Sequence, residues 1–305
     1  MQAGILRITS NMKLQGIFPP VTTPFDHAGN LYPVKVQHNI EKWNKTTLAG
    51  YVVCGSTGET PLLSAEEKCQ LWELVAKSAA PEKILIAGTG VDGVNETVCL
   101  TNRAAEMGYK AALVLTPHYF KNQMSRPETQ MVYFRAVADR AKIPVLLYNF
   151  PQVTGVDLSW ETVVALSEHP NIIGMKDSSG NVERLMHVVR EANDGFQVLV
   201  GSAQILLPAL LMGATGGILA YANAAPYSAI AIWEAYRTRE DEAARDWQRR
   251  VGRAAPYVTS KYGIPGLKYA MDLNGYYGGP PRLPLCTPTP LAKKEIEEAF
   301  NDLKG

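Results

Sequence analysis

The chain has 305 residues, 46% of them apolar and 19% charged, with 30 basic side chains against 29 acidic ones. That apolar content can bury a sizeable core, which excludes a disordered chain, and a net charge of +1 without a basic stripe argues against a nucleic-acid partner.

The opening stretch, MQAGILRITSNMKLQ, lacks the apolar core of a signal peptide, and residues 1–12 are expected to form a loose tail. Eight short apolar runs follow: GIFPPVT (16–22), YVVCGS (51–56), ILIAGT (84–89), AALVLTP (111–117), PVLLYN (144–149), IIGMKDS (172–178), QVLVGS (197–202) and GGILAYA (216–222). Each is a nearly continuous aliphatic run, as expected of parallel strands covered on both faces. Amphipathic stretches separate them. SAEEKCQLWELVAK (64–77) opens with a Ser-x-x-Glu capping box, and 95–108, 126–141 and 159–169 also keep a helical apolar period.

From Gly195 to Trp233 no residue is charged, a span longer than the ~20 residues a membrane helix needs. Pro208, Gly213, Gly216, Gly217, Asn223 and Pro226 interrupt it, so it is expected to be buried core rather than membrane. Alternating strands and helices over residues 13–235 predict an α/β fold, a TIM (βα)8 barrel. Residues 236–305, more charged and helical at 240–255 and 290–304, predict a C-terminal helical region.

Cysteines 54, 69, 99 and 286 form no CxxC pair and fit the reduced thiols of a cytoplasmic protein. The five histidines are scattered, with no pair at helical ligand spacing. No metal and no cofactor is therefore expected.

Lys176 poses a question. It ends the apolar run IIGM, although an ammonium is costly to desolvate without a partner. In (βα)8 barrels the chemistry sits at the C-terminal ends of the strands, where desolvation favours the neutral amine that can attack a ketone. The alternative is a lysine that snorkels outward or pairs with Asp177. Two further strand ends belong to the same rim. Tyr148 ends strand five and could shuttle protons, or could simply rest its hydroxyl in water. Gly55-Ser56-Thr57-Gly58-Glu59 ends strand two, where backbone N–H groups and two hydroxyls could hold a carboxylate, unless it is an ordinary polar turn.

These three stretches, with Tyr148-Asn149-Phe150-Pro151 and Gly174-Met175-Lys176-Asp177, resemble the signatures of the pyruvate-dependent class I aldolases, the family of dihydrodipicolinate synthase and N-acetylneuraminate lyase. The resemblance covers nearly the whole chain after residue 13. It implies that Lys176 is the Schiff-base nucleophile and Tyr148 the proton relay, with Thr57 and Tyr119 joining it. It further implies that Ser56 and Thr57 bind the pyruvate carboxylate and that Gly201 and Ile218 line the pocket. Tyr119 would reach a neighbouring subunit's site, which implies a homo-oligomer, in this family commonly a tetramer built as a dimer of dimers. The iminium would supply the positive charge that other aldolases take from a metal.

Within that family, synthases carry an arginine five residues after the relay tyrosine, where this chain has Val153. His118 and Ala65 also fail to match the feedback-lysine site of some synthases. GMKDSSGNVERL (174–185) and YGIPGLKYAMDLNGYYGGPPRLPL (262–285) are instead similar to 4-hydroxy-2-oxoglutarate aldolase. That implies cleavage to pyruvate and glyoxylate with Ser178 near the second carboxylate, although Thr57 stands where that type carries an asparagine. Dihydrodipicolinate synthase and 2-keto-3-deoxy sugar acid aldolases stay open as alternatives.

Two rivals belong to other classes. Gly88-Thr-Gly-Val-Asp-Gly93 fits the GxGxxG of an NAD-dependent oxidoreductase, although no acidic residue ends the next strand. A non-catalytic sugar-acid sensor on the same barrel is the other. GYYGGPPR (275–282) is expected to be a structural, turn-rich connection.

Overall fold

The computed structural model describes residues 12–303, so the expected tail lies outside the described residues except for Met12. Eight parallel strands form one sheet: β1 (Gly16–Phe18), β2 (Gly50–Val53), β3 (Ile84–Gly88), β4 (Ala111–Leu115), β5 (Val145–Asn149), β6 (Ile172–Asp177), β7 (Gln197–Val200) and β8 (Gly216–Ile218). Neighbours in sequence are neighbours in space, and β8 pairs with β1. Backbone bonds from Ala49 N to Ile17 O (2.9 Å), Val52 N to Pro19 O (3.0 Å) and Val21 N to Val52 O (2.8 Å) close the ring between β1 and β2. This is the expected TIM barrel, and each strand falls within or beside one of the eight apolar runs.

The helices that follow the strands wrap the ring, so the sheet is covered on both faces and its sequence reads apolar throughout. Ser64 caps the Ala65–Ser78 helix with both halves of the expected capping box in place. The uncharged span holds β7, β8, the Leu206–Leu211 helix and the start of the Pro226–Thr238 helix. No helix of the described residues is long and apolar enough to cross a membrane. After the Pro226–Thr238 helix, the described residues form the α-helices Asp241–Ala254, Gly263–Leu273 and Pro290–Ala299 and two one-turn helices, Ala255–Val258 and Asn301–Leu303.

Two buried clusters result. One lies between the sheet and the helices. The other fills the barrel itself, where Leu14, Phe18, Val52, Ile86, Leu113, Leu146, Leu199 and Ile218 meet Tyr148. Side chains of a strand alternate between these environments. The alternation decides which residue of Met175-Lys176-Asp177 faces inward.

Candidate active site

Between β5 and β6 the pairing slips by one residue. Val145 faces Ile172, but Leu146 faces Gly174, and from there Tyr148 faces Lys176 and Asn149 faces Asp177. Such irregularities re-aim the side chains that follow. Here the slip places Lys176 beside Tyr148 at the strands' C-terminal ends. Lys176 is 4% exposed. Its ammonium nitrogen lies 4.2 Å from the centroid of the Tyr148 ring, and it makes no ion pair or hydrogen bond within the described residues.

Asp177 does not pair with Lys176, because alternation sends it to the opposite face. There Asn149 Nδ2 (3.1 Å) and Ser179 N (3.1 Å) donate to its Oδ1, and Ser179 Oγ donates to its Oδ2 (2.8 Å). Arg184 Nη1 stands 3.8 Å from the same carboxylate while its Nη2 pairs with Asp157. Asp177 therefore anchors the β6 end from behind and leaves the ammonium in front without a counter-ion.

The Tyr148 ring is stacked on Phe150 (5.9 Å, 24° between planes), which fixes its plane. Its hydroxyl lies 3.4 Å from Ser56 Oγ. Ser56 opens the one-turn helix Ser56–Gly58, which carries Thr57 as well. Cys54, at the end of β2, holds a left-handed backbone (φ +61°), a conformation rare outside glycine that turns the chain into this helix. Ile218, at the end of β8, is fully buried in the barrel-interior cluster with Tyr148.

Gly201 and Ser178 adjoin. Gly201 N donates to Asp177 O (2.7 Å) and Ser178 N to Asn149 O (2.9 Å). A Cβ at position 201 would lie 1.9 Å from Ser178 Oγ, so only glycine leaves that hydroxyl its place. The rim thus joins an amine without an ionic partner, a phenol and the Ser56 hydroxyl, with Thr57 in the same turn as Ser56 and Ser178 on the loop after β6. An amine beside a phenol suits imine chemistry, and a turn with hydroxyls suits an anion.

The dihydrodipicolinate synthetase family matches residues 13–304. The chain belongs to this family. It is 36% identical over 279 residues to 4-hydroxy-tetrahydrodipicolinate synthase of Methanothrix thermoacetophila, covering 89% of this chain and 91% of the relative. It is 35% identical over 292 residues to the probable mitochondrial 4-hydroxy-2-oxoglutarate aldolase of Emericella nidulans, covering 94% of each. Among solved structures, YagE of E. coli K12, a family protein in complex with pyruvate, superposes with a TM-score of 0.89 at 28% identity, covering 95% of this chain and 99% of that one. The chain is accordingly a lyase, a pyruvate-dependent class I aldolase in the broad sense of its family.

Tyr119 stands apart from the rest of the expected site in this family member. Its ring is 78% exposed and meets Phe120 edge-on (5.1 Å), while its backbone N donates to Asp92 Oδ1 (2.9 Å). Val153 lies on the one-turn helix Pro151–Thr154 and is 56% exposed. Gln152 Nε2 of that helix donates to Ser179 O (2.8 Å), tying it to the loop that carries Ser178.

Two of the three glycines of the GxGxxG stretch, Gly88 and Gly90, have a packing reason. A Cβ on Gly88 would lie 2.3 Å from Cys54 O, and one on Gly90 2.3 Å from Leu115 N. They let β2, β3 and β4 approach closely in a barrel, which is a different sheet from the dinucleotide fold.

Sequence reasoning missed a second buried lysine. Lys268, within YGIPGLKYAMDL, pairs with Glu59 at 2.5 Å, the two side chains being 1% and 0% exposed. Burial lowers the Lys268 pKa, and the Glu59 charge opposes that effect. The signal was a lysine inside an apolar segment, the same one that Lys176 gives.

Proposed function

We propose that this enzyme cleaves or forms a 4-hydroxy-2-keto acid at its C3–C4 bond. The proposed substrate is 4-hydroxy-2-oxoglutarate, split to pyruvate and glyoxylate. The observation that carries the reading is Lys176, buried without an ionic partner against the Tyr148 phenol.

In this mechanism the Lys176 amine attacks the C2 carbonyl and water leaves, giving a protonated imine. Ser56 and Thr57 hold the adjacent carboxylate with hydroxyl and backbone donors. The Tyr148 phenol gives its proton to the departing water as the imine forms, and the resulting phenolate takes the proton of the 4-hydroxyl as the C3–C4 bond breaks and its electrons flow into the iminium. An aldehyde departs. Protonation of the enamine at C3 and addition of water then release pyruvate and the amine. Phe150 and Ser56 orient the phenol for both proton transfers.

For the distal carboxylate the proposed partner is Ser178, whose hydroxyl Gly201 leaves room for. The short helix PQVT offers no cation at Val153, which favours glyoxylate over aspartate semialdehyde as the aldehyde. The similarity to the Emericella protein points the same way. The Methanothrix relative supports a second reading, condensation of pyruvate with aspartate semialdehyde.

Exposed Tyr119 fits a residue completing the site of a second copy, so the working form is proposed to be a homo-oligomer, a tetramer built as a dimer of dimers. The unpaired cysteines fit a cytoplasmic setting. Incubation with pyruvate and borohydride, followed by peptide mass spectrometry, tests the reading: a reduced pyruvyl adduct on Lys176 is expected, and its absence on folded protein overturns it. Glyoxylate, aspartate semialdehyde and sugar aldehydes offered with pyruvate then identify the partner. Turnover of aspartate semialdehyde alone would replace the aldolase with the synthase.

A further inference from the structure

The turn that carries Ser56 and Thr57 is held from behind by residues distant in sequence. Glu59 closes it with a left-handed backbone (φ +58°) and a fully buried carboxylate. Oε1 lies 2.5 Å from Lys268 Nζ, and Oε2 accepts from Arg282 N at 2.8 Å. Lys268 Nζ also donates to Thr23 O (2.9 Å) and Pro280 O (3.0 Å). Thr23 closes the circuit, because its hydroxyl donates to Gly58 O at 2.6 Å. The Arg282 guanidinium grips the other side of the loop, donating to Leu62 O (2.7 Å) and to both carboxylate oxygens of Glu67 (2.8 and 2.6 Å).

The contacts to Glu59 and Gly58 fix the turn directly, and those to Thr23, Pro280, Leu62 and Glu67 hold the segments packed beside it. An uncharged core could stabilise the fold as well as a buried ion pair does. What these contacts add is a single geometry for the turn, because Glu59 and Gly58 on it meet three fixed donors, Lys268 Nζ, Arg282 N and Thr23 Oγ1. We propose that Glu59, Lys268, Arg282 and Thr23 are positioning residues that aim Ser56 and Thr57 at the carboxylate of the keto acid. The GYYGGPPR segment is then part of substrate recognition, acting through Arg282 and Pro280. The inference rests on the proposed Schiff-base function.

Borohydride trapping on Lys176 tests it, comparing pyruvate with pyruvamide, which keeps the ketone but replaces the carboxylate by a neutral amide. In either case the lysine nitrogen bonds to C2, water leaves, and borohydride delivers hydride to that carbon. Wild-type protein should trap pyruvate in strong preference. Glu59→Gln should lower the ratio of the two rates about tenfold, the weight of one hydrogen bond to a charged group. Thr23→Val, uncharged and nearly isosteric, should lower it about threefold, as for a neutral hydrogen bond. A merely structural role would slow both ketones alike and leave the ratio unmoved. An unchanged ratio in either folded variant overturns the proposal, and Thr23→Val decides alone if Glu59→Gln does not fold. Wild-type protein that traps neither ketone would overturn the underlying function first, before any variant is compared.

Discussion

Tyr148 and Lys176 are direct partners across β5 and β6, with the lysine nitrogen 4.2 Å from the phenol centroid. The pairing exists because the register slips once, beyond Val145. Without that slip Tyr148 would face Met175, and the amine would have no phenol beside it. Lys176→Ala should therefore abolish the borohydride-trapped pyruvyl adduct. The barrel should stay folded, because no ion pair is broken. Circular dichroism alongside mass spectrometry checks both, and an adduct on the folded variant would move the nucleophile elsewhere.

Tyr148→Phe separates the ring from the hydroxyl. The ring keeps its stacking on Phe150 and its place under Lys176, so imine formation should survive. The hydroxyl is the proton carrier, and its loss should lower kcat about 10²–10⁴-fold, the usual weight of general acid–base catalysis. Steady-state kinetics with parallel trapping distinguishes the steps. Full turnover would remove Tyr148 from the relay.

The strands were legible because a parallel strand covered on both faces must be a continuous apolar run, and polar residues at its C-terminal end then stand out. Lys176, Tyr148 and Ser56 could be found that way. The register slip before Gly174 could not, since no local pattern records how two strands pair. The helices Lys121–Met124 and Pro151–Thr154 are too short to carry a period. Lys268 shows the limit most clearly. It and Lys176 are both lysines in apolar segments, and only the fold reveals that one meets Glu59 while the other meets no carboxylate. Arg282 N and Glu59 are 223 residues apart, so their contact left no trace in either local sequence.

Gly201→Ala should be damaging in proportion to what the new methyl meets. The added Cβ would fall 1.9 Å from Ser178 Oγ and 2.8 Å from Ser178 Cβ, so Ser178 must move. Overpacking of this kind costs about 1–3 kcal/mol. Because the strain falls on a rim residue, activity should fall more than stability. Denaturant unfolding and the KM for the keto acid check this. A variant with unchanged KM would show that Ser178 does not contact substrate.

Glu67 links the capped helix to Arg282, and the paired guanidinium is the main cause holding its pKa below the usual 4.5. A carboxylate with a lowered folded pKa stabilises the protein above its unfolded value, and loses that contribution as pH falls through the folded one. Glu67→Gln keeps the shape and the cap acceptor but removes the charge. It should cost about 1 kcal/mol at pH 7, discounted because the pair is partly exposed. The gap from wild type should narrow as pH falls below about 4.5, where the unfolded carboxylate also protonates. Urea unfolding at pH 7 and at lower pH measures it. A gap independent of pH would mean that packing, and not charge, makes the link.

Val153→Arg tests the distal end of the substrate. Position 153 is 56% exposed on a helix tied to the Ser178 loop, so a longer side chain has room to extend without displacing core. A guanidinium there would offer a bidentate partner to a carboxylate carried on a longer aldehyde. The variant should gain condensation of pyruvate with aspartate semialdehyde relative to glyoxylate, by about tenfold or more in the ratio of kcat/KM, since a charged hydrogen bond contributes about 1.5–3 kcal/mol. Glyoxylate is too short to reach the new cation and should be used much as before. If the ratio does not change, the distal carboxylate is held by another part of the rim, and Ser178 becomes the position to substitute next.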